Sequence, residues 1–139
     1  MRTETILWPM LAMIALAFAV WLRMFVRRVG EMRRRRIDIE RLASSTDLAQ
    51  LLEDRRASDN FRNLFELPVL FHVAVLAAFA TNSVDRVLVL LAWAFVAFRW
   101  LHSLIHCTYN RVMHRFLAYF LASVALWAMW IRLAVAWIA

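Results

Sequence analysis

The sequence predicts an all-α protein, an integral membrane four-helix bundle. Three observations predict it. Of 139 residues, 64% are hydrophobic, well above the 45–50% usual for soluble domains. The apolar residues are gathered into four long runs, each able to cross about 30 Å of hydrocarbon as a helix. No run shows the period-2 alternation of a membrane barrel, and open strands cannot satisfy their backbone in lipid. With 1 Gly, 2 Pro and the single Cys107, collagen-like, disordered and disulfide-scaffold classes are excluded.

The first run, Thr5 to Leu22, carries no charge and is followed by Arg23, Arg27 and Arg28. Ala17-Phe18-Ala19 imitates a signal-peptide cleavage site. The positive charges follow the run, though, and Val20, Trp21 and Leu22 extend it, so a retained anchor is the reading. The second run is Leu67 to Val84. The third is Val87 to Asn110, broken by Arg99. The fourth is Phe116 to Ala139, broken by Arg132. Spans are expected at about 5–26, 62–84, 86–109 and 114–137, in a single domain over 1–139.

The connection at about 27–61 is strongly basic. Thr46-Asp47 offers a helix N-cap before Leu48, Leu51 and Leu52, so a short cytoplasmic helix is expected from near Ala49. It runs toward the second span, where Pro68 should kink or interrupt it.

All basic residues are Arg, and the net charge is +7. Such a balance first suggests nucleic acid or anionic lipid. Ten of the 17 Arg lie between Arg27 and Arg62, beside apolar runs and without any nucleic-acid motif. They read as a cytoplasmic loop. The third connection carries Arg111 and Arg115, whereas the second is nearly neutral. Loops one and three are therefore expected in the cytoplasm and both termini outside it. Trp8 and Trp137 then share one interfacial belt and Trp21 lies in the other.

Polar residues at the rims of the spans carry the functional signal. Asn63 lies three residues before Glu66 and Arg62 four before it, so in a helix they share a face. A carboxylate beside hydrocarbon needs a partner, and Arg62 or Arg99 can supply it. Arg99, His102 and His106 recur at i, i+3 and i+7. His102 and His106 have metal-ligand spacing, but Cys107 points about 100° away and nothing requires His72 to join. Satisfied core histidines are the commoner outcome, and no metal is expected. Arg115 and Tyr119 share the opening face of the fourth span. Read singly, these are an ion pair, core histidines and an interfacial anchor. Together they gather Arg, a carboxylate, an amide, imidazoles and a phenol near one membrane surface. Such a site suits a small anionic ligand, since Arg can hold a carboxylate through two parallel hydrogen bonds.

Arg62-Asn63-x-x-Glu66 followed by Pro68, then Arg99-x-x-His102, then Arg115-x-x-x-Tyr119 form an ordered set. In that order and separation the chain resembles the membrane-associated proteins in eicosanoid and glutathione metabolism, the MAPEG family. The resemblance covers essentially the whole chain. It implies a homotrimer of four-helix bundles, with glutathione as co-substrate in a cytosol-facing cleft between subunits and a lipophilic second substrate.

By motif matching, Arg62, Asn63 and Glu66 would hold the charged ends of glutathione. Arg99, His102 and Tyr119 would line the cleft, and Arg115 would stabilise the thiolate. Arg27 or Arg28 would match a further cleft Arg. His106 stands where several family members carry Tyr, a departure that bears on how glutathione is held. The activity implied is that of a transferase or peroxidase. Two other functions compete with it: a non-catalytic binding or scaffold protein of the same fold, and a small proton-coupled exporter using Glu66.

Overall fold

The structure, a computed structural model, describes residues 2–35 and 56–138. A 3₁₀ turn at Thr3–Ile6 leads into α1, Leu7–Arg35. Then come α2, Arg56–Asn63, α3, Leu67–Ala80, α4, Arg86–Cys107, and α5, Val112–Ile138. Among the described residues, four helical stretches are long and apolar enough to cross a membrane: Thr3–Arg34, Asp59–Ala80, Arg86–Cys107 and Val112–Ile138. The all-α, four-span architecture is the one the sequence predicts.

Helix α1 runs on beyond residue 26, where the first membrane span is expected to end. It continues through its arginines to Arg35. Arg is among the better helix formers, so the charge that ends an apolar run does not end a helix. The buried Glu31 lies on this extension, and α1 packs on α2. The helix expected from near Ala49, with its cap at Thr46-Asp47, lies outside the described residues.

Pro68 interrupts the second span, as expected, but the break precedes it. Pro68 has no N–H for the Leu64 carbonyl one turn back, and its ring crowds that carbonyl. Helix α2 therefore closes with short bonds, Leu64 N–H to Phe61 O at 3.1 Å and Phe65 N–H to Arg62 O at 2.9 Å. Helix α3 then begins afresh with Pro68 in its first turn, where a missing donor costs nothing. One expectation falls with this break. Arg62 and Glu66 lie on opposite sides of the interruption rather than on one helix face, and no ion pair forms between them.

The two short connections are capped by their own residues. Asp85 accepts from Leu88 N–H at 2.7 Å and so caps α4. Thr108 Oγ1 donates to Leu104 O at 2.7 Å where α4 ends. Asn110, at φ 52°, turns the chain into α5.

The core is built from the inward stripe of each span. It includes Met13, Leu16 and Val20 of α1, Phe71, Ala74 and Ala78 of α3, Leu88, Ala92 and Phe95 of α4, and Ala122, Leu126 and Met129 of α5. Phe71 and Phe95 stack at 4.5 Å. Alanines at the contacts let helices approach closely, the role small residues play in membranes. Helices α4 and α5 share the most extensive contact; α1 packs on α2 and α4, and α3 on α5. Large apolar side chains such as Trp8, Phe18, Leu90 and Trp127 point outward, as lipid permits. The α2–α3 break, the end of α4 and the start of α5 meet at one end of the bundle.

Candidate functional site

A cavity of about 280 Å³ opens at that end. Five polar side chains line it: Asn63 and Glu66 from the α2–α3 break, His102 from α4, and Arg115 and Tyr119 from α5. Val112 and Phe116 complete its wall. Asn63 reaches the cavity from the last turn of α2, and Glu66 from the irregular chain at Leu64–Glu66. The other three project from regular helices.

Arg99 holds this arrangement together from behind. It is fully buried, and Nη2 donates to Asn63 O at 2.5 Å. Its guanidinium lies 5.6 Å from the centre of the Tyr119 ring, within cation–π range. Nε and Nη1 are buried without a hydrogen-bond partner among the described residues. A charged group so placed is costly in a membrane protein and marks a site that something else completes. Glu66 attracts Arg99 electrostatically without forming a direct bridge, so Asn63 O, not a carboxylate, is the contact made.

His102 is buried, with Nδ1 3.0 Å from Arg115 O. A carbonyl only accepts, so Nδ1 carries the proton, and Nε2 is buried without a hydrogen-bond partner among the described residues. The His102 ring lies 5.9 Å from Tyr119 and 5.9 Å from His106. Arg115 Nη1 donates to Asn110 Oδ1 at 2.7 Å, which fixes the guanidinium at the cavity wall. The site thus offers a held cation, an anion, an amide, an imidazole and a phenol. That set can bind a small molecule bearing both carboxylate and ammonium groups.

A model of the MAPEG family matches residues 6–135, nearly the whole chain. The chain belongs to the MAPEG family. No curated protein and no solved structure matches it.

In this MAPEG chain, Asn63, Glu66, His102, Arg115 and Tyr119 come together, with Arg99 beneath them. The other residues singled out from the sequence lie elsewhere. Arg62 is exposed on α2 and does not line the cavity. His106 is buried behind His102. Arg27 and Arg28 stand on the extension of α1 and do not line the cavity.

Sequence reasoning missed a second polar group. Asn60 is fully buried, accepts from Ser103 Oγ at 3.2 Å and directs Nδ2 toward Cys107 Sγ at 3.6 Å. Arg23 Nη2 donates to Cys107 O at 2.6 Å. Helical spacing carried a signal for it: Asn60 lies one turn before Asn63, and Ser103 and Cys107 are four apart. Among the described residues no three His, Cys, Asp or Glu side chains cluster as metal ligands would.

Proposed function

We infer that this MAPEG protein is a membrane-bound, glutathione-dependent transferase or peroxidase acting on lipophilic electrophiles. The convergence of Asn63, Glu66, His102, Arg115 and Tyr119 on one cavity carries the reading. Glutathione has two carboxylates, an ammonium group and a thiol. Glu66 suits the ammonium, and Asn63 suits a carboxylate, with the buried charge of Arg99 behind it. Arg115 suits the sulfur, because a fixed cation favours thiolate over thiol. The thiolate attacks the electrophilic carbon of a substrate, and the departing group or opened ring takes a proton. With a hydroperoxide, sulfur attacks oxygen, and a second glutathione completes the disulfide while alcohol and water leave.

The membrane concentrates the apolar substrate and the cytosol supplies glutathione. In this reading the basic ends of the spans, with Arg23 to Arg35 and Arg111 to Arg115, face the cytoplasm, and both termini face the other side. The cavity is at that basic end. Three copies assemble so that each cavity becomes a cleft between neighbours.

Calorimetric titration of glutathione into the purified protein tests this, together with thiolate absorbance in the ultraviolet. Binding at millimolar glutathione with thiolate formation is expected. Arg115→Ala should abolish the thiolate signal and retain weaker binding. Absence of binding at millimolar concentration sinks the proposal. Binding without turnover across a broad panel of electrophiles would instead favour the scaffold role.

A further inference from the structure

On another side of the bundle, α1 and α4 enclose a groove of about 160 Å³. Its walls include Leu16, Val20, Trp100 and Leu104, and Arg23 and Cys107 close the end that carries the α1 arginines. None of these residues lines the cavity formed by Asn63, Glu66 and Arg115. The groove is hydrocarbon for most of its length and becomes cationic at one end. Arg23 is fixed there by its bond to Cys107 O at 2.6 Å, and a guanidinium has five N–H donors, more than one carbonyl can accept. Arg27 stands one helical turn further along the same face. Apolar walls with a fixed guanidinium at the water end match an acyl chain attached to a negative headgroup. Basic pockets between spans are where anionic headgroups bind.

We propose that this α1–α4 groove is a binding site for one anionic phospholipid, its phosphate on Arg23 and one acyl chain along Leu16, Val20 and Leu104. A zwitterionic lipid brings the same chain but also a cationic group, which Arg23 repels. A second copy of the chain seated here would bury Trp100 and Leu104 but would leave the charge of Arg23 unanswered. The lipid answers both ends of the groove at once. Its acyl chain passes the half-buried sulfur of Cys107, so occupancy shields that thiol from small reagents.

Cys107 is the single cysteine of the chain, and its alkylation by N-ethylmaleimide reads occupancy directly. The full-length protein is placed in nanodiscs of either phosphatidylglycerol or phosphatidylcholine. Alkylation is expected to be about fivefold slower in phosphatidylglycerol, the effect of roughly one basic contact at a membrane surface. Arg23→Gln should make the two rates equal, and Arg23→Lys should keep them different. Ala19→Phe, which fills the groove without touching the cation, should also abolish the difference, so the test survives misfolding of the Arg23 variants. Equal rates for the unsubstituted protein overturn the proposal. A difference that persists in Arg23→Gln or Ala19→Phe overturns it too. So does a thiol unreactive in both lipids, the result expected if a second copy covers the groove.

Discussion

Asn110 couples a backbone turn to the orientation of Arg115, the cation proposed to hold the thiolate. Its φ of 52° is left-handed, a conformation that Asn tolerates better than other side chains except Gly. Its N–H donates to Ile105 O at 2.9 Å, closing α4, while its Oδ1 accepts from Arg115. The two roles separate by substitution. Asn110→Gly keeps the turn but loses the acceptor, so the thermal midpoint should stay near that of the unsubstituted protein. Thiolate formation should fall roughly tenfold, the scale of one hydrogen bond to a charged group. Asn110→Ala should lower both, because Ala is strained at positive φ. Unchanged thiolate formation in Asn110→Gly would show that Arg115 is held in place by something else.

At the scale of elements, the start of α4 is the place where pH enters. Asp85 caps the helix through Leu88 N–H and reaches across to Arg132 of α5, with Arg132 Nε donating to Oδ2 at 2.8 Å. Partial burial pushes its carboxyl upward, but the Leu88 N–H and Arg132 outweigh this and hold it below the ordinary Asp value. A lowered folded-state pKa means that unfolding takes up protons. The stabilisation is complete above about pH 4, the unfolded value, and is lost as pH falls through the lowered one. Thermal melts of the detergent-solubilised protein should therefore weaken on acidification below pH 4. Asp85→Asn should flatten that part of the profile and, keeping an equivalent cap but losing the half-exposed ion pair, cost at most about 1 kcal/mol at neutral pH. An identical acid limb in Asp85→Asn would remove Asp85 as its source.

The elements also show what the sequence could reveal. The spans were legible because uncharged runs admit no other state in lipid. Glu66, His102, Arg115 and Tyr119 were legible because polar groups at a span's rim need a reason. The end of α1 was not, since Arg ends a hydrophobic pattern without ending a helix. Nor was the place of Arg62, because i, i+4 arithmetic assumes an unbroken helix and Pro68 acts one turn upstream of itself. Asn60 and Ser103 escaped because spacing puts Asn60 beside Asn63 and Ser103 beside Cys107 but does not say that the two helices bring these pairs together.

The whole molecule poses a question that one subunit does not answer. The cavity takes its walls from the α2–α3 break, α4 and α5, and none from α1. Arg27 and Arg28, matched by resemblance to a cleft arginine, stand on the far extension of α1 of the same chain. If the cleft lies between subunits, that arginine comes from a neighbour, and an intact site needs Arg115 from one copy and the α1 arginine from another. Mixing variants decides this. Subunits carrying Arg115→Ala are expected to be inactive alone, and subunits carrying both Arg27→Ala and Arg28→Ala to be impaired alone. Co-expressed with different tags and isolated as mixed assemblies, they should recover activity. A cleft then forms wherever an intact Arg115 faces an intact α1 arginine. A site contained within one subunit predicts no recovery, because no subunit in the mixture carries both. Recovery accompanied by dissociation into monomers would also contradict the cleft, since the shared site requires the copies to remain together.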